Sequence, residues 1–153
     1  MSLIILTVVV LLRFVVGQFE VPFFYCIPPD TSNNVVSKIQ VANCGDSPCK
    51  LYRGHFSKIW VDIDPNYNSS LGTVYLTAVE LRTMKRYVIF DSDTWCYNKV
   101  LSHCEFKGNG SYNTWSHLIP VFPDSAPGAQ ILEWTFEQNG QTEVCVMFMV
   151  IVK

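Results

Sequence analysis

The chain has 153 residues, with 11 basic and 13 acidic side chains for a formal net charge of −2, and 49% of its residues are hydrophobic. That length suits one domain with one core. The charge is mildly acidic, with no basic patch and no run of like charges, which argues against nucleic acid as a partner and against simple electrostatic adhesion to anionic lipid.

Residues 1–17 are nearly all apolar and read as a secretory signal peptide, with Val15 and Gly17 flanking a cleavage point before Gln18. The run is too short for a comfortable membrane span, and a second apolar run, residues 144–152, is shorter still. Arg13 leaves with the leader, so the expected domain, residues 18–153, holds 10 basic residues against 13 acidic ones. No repeat, heptad or low-complexity linker divides it.

The first strand-like stretch is residues 35–41, where Val35, Ser37, Ile39 and Val41 alternate with Val36, Lys38 and Gln40. Next, Ile59, Val61 and Ile63 alternate with Lys58, Trp60, Asp62 and Asp64. Residues 72–81, 86–90 and 112–121 continue the series. Leu132, Trp134 and Phe136 then alternate with Glu133, Thr135 and Glu137, and residues 144–152 close it. Period-two alternation with one polar face marks strands half-buried in a sheet. Turn signals at Pro65-Asn66, Gly108-Asn109-Gly110 and Asn139-Gly140 separate the runs. No helical periodicity competes. About seven strands in one small domain predict an all-β, antiparallel, immunoglobulin-like sandwich of two sheets.

Six cysteines lie downstream of the leader: Cys26, Cys44, Cys49, Cys96, Cys104 and Cys145. In an oxidising compartment they read as disulfides. Six cysteines allow about fifteen pairings, and spacing alone does not choose among them. Local closure favours Cys44–Cys49 and Cys96–Cys104, which leaves Cys26–Cys145 to tie the two ends. Zinc sites prefer tighter paired spacings, and a redox dithiol wants C-x-x-C, so no metal or cofactor is expected. Two sequons, Asn68-Ser69-Ser70 and Asn109-Gly110-Ser111, sit in loop-like contexts where a glycan can be attached.

Catalytic motifs are missing: there is no G-x-S-x-G, no H-E-x-x-H and no P-loop. Gly45-Asp46-Ser47 resembles a serine-protease nucleophile loop, but Pro48-Cys49 follows where glycines belong. Gly108-Asn109-Gly110 reads as a hairpin turn. His55, His103 and His117 are scattered and read as surface or loop histidines. The chain is expected not to be an enzyme.

Taken in register, Cys26, Cys44, the run Pro48-Cys49-Lys50-Leu51-Tyr52-Arg53-Gly54, the Cys96/Cys104 pair, Leu118-Ile119-Pro120-Val121, Glu133-Trp134 and Cys145 resemble the ML (lipid-recognition) domain family. The likeness is greatest to its Niemann–Pick C soluble sterol-carrier branch and spans nearly all of residues 18–153. The resemblance implies a two-sheet sandwich without catalysis, the three disulfides paired as above, and a lipid held between the sheets. Its pocket positions, carried over residue by residue, are Val41, Ile59, Val61, Ile119, Val121, Leu132, Trp134, Val146 and Phe148. Two positions depart from the pattern: Ser125 or Ala126 stands where the branch has an aromatic near the pocket mouth, and Val146 replaces an aromatic after the last cysteine. Fewer rings predict that flexible acyl chains bind at least as well as a rigid sterol.

Every sandwich has an apolar interior, so composition by itself cannot tell a filled core from a hollow one; the resemblance favours the hollow one. It implies a secreted or lysosomal carrier, expected to be monomeric, of a sterol, fatty acid or phospholipid. The alternatives are a lipid-presenting co-receptor subunit in innate immune signalling, partnered by a membrane protein or receptor, and an extracellular semiochemical carrier. A presenting subunit would show an exposed apolar patch at the cavity mouth.

Overall fold

The computed structural model describes residues 18–26, 35–64, 67, 72–91 and 113–153. The expected leader, both sequons (Asn68 and Asn109) and the Cys96–Cys104 pair lie outside the described residues. Ten strands are present among the described residues. They are Gln18–Glu20 (β1), Phe24–Tyr25 (β2), Val36–Ala42 (β3), Cys49–Leu51 (β4), Phe56–Ile63 (β5), Thr73–Glu80 (β6), Arg86–Asp91 (β7), Asn113–Pro120 (β8), Gly128–Gln138 (β9) and Gln141–Val152 (β10). All seven expected strands are among them. The three additions, β1, β2 and β4, have only two or three residues each, too few for alternation to register.

Two sheets form the sandwich. One runs β1-β3-β5-β8; the other runs β2-β10-β9-β6-β7, with β4 also paired to β10. Every pairing is antiparallel except β4 with β10, where Cys49 to Leu51 run alongside Val150 to Val152. One edge of β10 is taken by β9, and the other is shared end to end by β2 and β4. The β9–β10 hairpin turns on Asn139 and Gly140 at φ 52° and 74°. Both residues then sit in the left-handed region that a type I′ turn needs and that Asn-Gly tolerates best.

Alternation places the core. On β5, Ser57, Ile59, Val61 and Ile63 are buried between the sheets, and Lys58, Trp60 and Asp62 line the outer face. There Lys58 Nζ stands 5.1 Å above the Trp60 ring, and Asp62 accepts a 2.8 Å bond from the Thr114 hydroxyl. Opposite, Leu132, Trp134 and Phe136 of β9 meet Phe148, Val146 and Val144 of β10 in register. Strand β3 departs from the expected pattern. Val36 is buried and Ser37 exposed, the reverse of strict alternation through Val41. A bulge between Val36 and Lys38 supplies the extra residue that exchanges their faces. The inward Val36 is held from behind by Tyr25, whose hydroxyl donates to the Val36 carbonyl at 2.9 Å.

Two disulfides are seen. Cys26–Cys145 joins the first short strands to β10 across 119 residues, and Cys44–Cys49 closes a five-residue step. The first is reinforced by a 3.0 Å bond from the Cys26 N–H to the Cys145 carbonyl. Both pairings agree with the local-closure reading.

Candidate functional site

Strand β8 is the last of its sheet and β7 the last of the other, and no ladder joins them among the described residues. The sandwich is therefore held shut along this side by side chains alone. Phe90 of β7 bridges the seam, its ring 4.0 Å from His117 and 5.7 Å from Trp115, both inward residues of β8. Trp115 in turn lies 5.9 Å from Trp134 in the opposite sheet, at an interplanar angle of 58°. Tilted rings at such separations are favourable contacts. His117 is thus an inter-sheet residue rather than the surface or loop histidine that its isolation in the sequence suggested. Burial holds its pKa below the usual 6.5, so it favours the neutral ring.

Towards the Val121 end of the seam a cleft of about 40 Å³ opens between the sheets. Its floor is Ile119, Leu132 and Val152, its walls include Ile89, Leu51 and Val121, and Tyr87, Val88 and Phe122 form the lips. No charged side chain lines it. The polar members are Ser125, Tyr87 and Gln130. Gln130 is only 2% exposed, in phase with Leu132 and Trp134 on the inner face of β9. Its Oε1 accepts from the Tyr87 hydroxyl at 2.7 Å, and its Nε2 donates to the Ala126 carbonyl at 3.0 Å. Burial raises the Tyr87 pKa, the Glu80 carboxylate adds to that, and the bond to Gln130 works against it. Neither Gln130 nor Tyr87 stood out in the sequence. The one available signal was a long polar residue at an inward register position of β9.

All nine candidate pocket positions are buried. Ile119, Val121 and Leu132 border the cleft. Val41, Ile59, Val61, Trp134, Val146 and Phe148 belong to the continuous core, none more than 2% exposed. The register stacks Val41 beside Ile59 and Phe148 beside Leu132, so these six form the packed wall behind the cleft.

Val121 is fixed from both sides: the Gly54 N–H donates to its carbonyl at 2.7 Å, and its own N–H donates to the His55 carbonyl at 3.0 Å. It also borders a second groove, about 110 Å³, lined by Leu51, Tyr52, Phe56 and Ser57. Around this end Tyr52, Phe56, Leu118 and Phe122 expose 53–69% of their surface. Single exposed apolar residues are ordinary, but four large ones grouped beside a cleft mouth form a patch.

The largest hollow among those described, about 700 Å³, is elsewhere, on the outer face of the second sheet. Tyr75, Thr77, Thr135, Glu137 and Thr142 line it, with Arg86 donating to Glu133 at 2.7 Å. That surface is polar and wide open, and it offers an apolar chain little. Sulfurs of Cys26 and Cys145 and a carboxylate oxygen of Glu133 lie within 4.8 Å of one another. Both sulfurs are committed to the disulfide, so they offer no thiolate to a metal.

No protein-family model and no curated protein matches this sequence. Among solved structures, the soluble domain of PmoD from Methylocystis aligns with a TM-score of 0.39 at 13% identity, over 76% of this chain and 91% of that one. A Niemann-Pick type C2 protein from the Japanese carpenter ant aligns with a TM-score of 0.64 at 16% identity, over 86% of this chain and 99% of that one. Likeness at that level across the whole of the second protein establishes a shared architecture: this chain has a Niemann-Pick type C2-like fold.

Proposed function

We propose that the protein is a non-catalytic lipid carrier that holds a small apolar or amphiphilic molecule between its two sheets, entering along the β7/β8 seam. The observation that carries this reading is the uncharged, mainly apolar cleft at an edge of the sandwich that no backbone ladder closes. The fold likeness and the resemblance of the cysteine framework to ML domains point the same way. At about 40 Å³ the cleft has room for little more than one or two water molecules. A lipid tail therefore requires the sheets to part at Phe90, His117 and Trp115, which costs side-chain contacts but no ladder hydrogen bonds. A tail hiding on the order of 300 Å² of apolar surface gains roughly 7 kcal/mol before association costs, enough to drive that separation. Sterols, fatty acids and phospholipids are the candidate cargo.

The same reading carries the remaining expectations: a leader removed before Gln18, passage to the extracellular space or lysosome, glycans at Asn68 and Asn109, and a monomer in solution. Mass spectrometry of organic extracts from natively purified protein tests the central claim. A stoichiometric lipid is the expected result; protein that carries none and binds no fluorescent sterol or fatty acid would remove it.

A second reading is favoured by one observation, the exposed patch of Tyr52, Phe56, Leu118 and Phe122 at the cleft mouth. A carrier that only shuttles cargo does not need it, whereas a subunit presenting lipid to a receptor does. Replacing Phe56 and Phe122 by Ser separates the two. Lipid binding survives in both cases, and only the presenting role loses a receptor complex.

A further inference from the structure

Gln130 occupies a position that the fold reserves for an apolar side chain. Its neighbours in register are Val150 on β10 and Glu80 on β6, and its inward companions along β9 are Leu132, Trp134 and Phe136. A primary amide has two N–H donors and a carbonyl that can accept twice. Among the described residues the Gln130 amide makes two bonds, one received from Tyr87 and one given to Ala126. One N–H and one acceptor position are left over, on a side chain 2% exposed, at the border of a cleft otherwise built from Ile89, Ile119, Val121 and Leu132. Burying unused hydrogen-bonding capacity is unfavourable, and leucine would avoid it. A ligand oxygen within the cleft removes the penalty.

Charge around the amide narrows which oxygen. The nearest fixed charge is the Glu80 carboxylate, close enough to act on Tyr87 and anchored by the Thr83 hydroxyl at 2.7 Å. The cation beside it, Arg82, is 3.9 Å from that carboxylate with a side chain 85% exposed, so it offers the cleft no counter-charge. An ionised head brought to Gln130 would lose its water, find no cation and face a like charge. An uncharged hydroxyl, ketone or ester oxygen meets none of these objections.

Resting on the carrier reading above, we infer that Gln130, steadied by Tyr87, is a neutral hydrogen-bonding anchor that selects lipids with an uncharged oxygenated head over lipids with an ionised carboxylate. The tail then runs from this anchor over Leu132 towards the apolar wall of the core.

The test is displacement of an uncharged naphthylamine fluorophore at neutral pH by three ligands of equal chain length: dodecanol, methyl dodecanoate and dodecanoate. The parent protein is expected to bind the alcohol and the ester more tightly than the carboxylate. In Gln130→Leu the fluorophore is retained while dodecanol affinity falls roughly five- to tenfold, the worth of one neutral hydrogen bond. Tyr87→Phe, at a ring 40% exposed and so tolerant of change, loses the alcohol preference in part. A parent that prefers dodecanoate overturns the anchor, as does a Gln130→Leu protein that binds fluorophore and dodecanol like the parent. If Gln130→Leu does not fold, an unchanged alcohol preference in Tyr87→Phe overturns it instead. A parent that binds neither fluorophore nor any of the three ligands brings down the carrier reading, and the anchor with it.

Discussion

Leu132→Ala distinguishes a lipid cleft from an ordinary core. Leu132 is 2% exposed, sits between Phe148 and Ala78 in the register, and forms the cleft floor. Removing three of its carbons forfeits about 2.4 kcal/mol of transfer free energy at ~0.8 kcal/mol per methylene. The vacated space joins a void of about 40 Å³, so the walls cannot simply close over it. At roughly 24 cal/mol per Å³, a void of that size corresponds to about 1 kcal/mol more. The expected destabilisation is then about 3–4 kcal/mol, or on the order of 10 °C in Tm for a domain of this size. In an ordinary core that loss would be permanent. In a lipid cleft, ligand at about 100 times its Kd restores roughly 2.7 kcal/mol, and the widened floor accepts a tail more readily than the parent does. Thermal unfolding of both proteins, with and without dodecanol, supplies the four midpoints. A full loss that no apolar ligand reverses refutes the reasoning, and a variant melting within a degree or two of the parent shows that Leu132 is not packed as described.

Val121→Trp puts an indole across the cleft wall while leaving the backbone bonds to Gly54 and His55 in place; it should abolish ligand binding at a stability cost of roughly 1–3 kcal/mol, and unchanged binding with early melting would mark Val121 as plain core. The lowered pKa of His117 means that the unfolded chain takes up a proton first as pH falls. Its contribution is therefore complete above about pH 6.5, declines below that value, and levels off beneath the folded pKa. His117→Gln should flatten that slope in a Tm-against-pH series, and an unaltered slope would assign it to other groups. Replacing Cys26 and Cys145 together by Ala releases a link across 119 residues, and denaturant unfolding should record a loss of about 2–5 kcal/mol.

Much of this architecture can be read from residue order, and the failures have physical causes. Long alternating runs such as 59–63 and 132–136 declared their inward faces because each strand has one buried side. The face exchange at Val36 and Ser37 was hidden, since a bulge is a pairing event with β5 and leaves no mark in β3 itself. Strands β1, β2 and β4 exist because β3 and β10 offer them edges, not through any periodicity of their own. Among the pocket positions, inward orientation was legible at all nine, but which of them border open space was not. That division depends on the unpaired β7/β8 edge and on the ring of Phe90, which no single strand pattern encodes. His117 and Gln130 were passed over for a shared reason. Polar residues on an inward face look like interruptions until the opposite sheet supplies a stacking ring for one and a hydroxyl for the other.

The place of β10 bears on when the molecule can fold. Gln141–Val152 lies inside its sheet and gives both β2 and β4 their only strand partner among the described residues. Nothing made earlier substitutes for it. Until those residues have been synthesised, β2 and β4 have no ladder, Cys26 has no native partner, and the inward face of β9 stands open to solvent. Contacts spanning so much sequence fold slowly. The sandwich must therefore assemble after synthesis of its preceding strands rather than alongside it, with a long interval in which a chaperone, rather than the opposite sheet, covers its apolar faces.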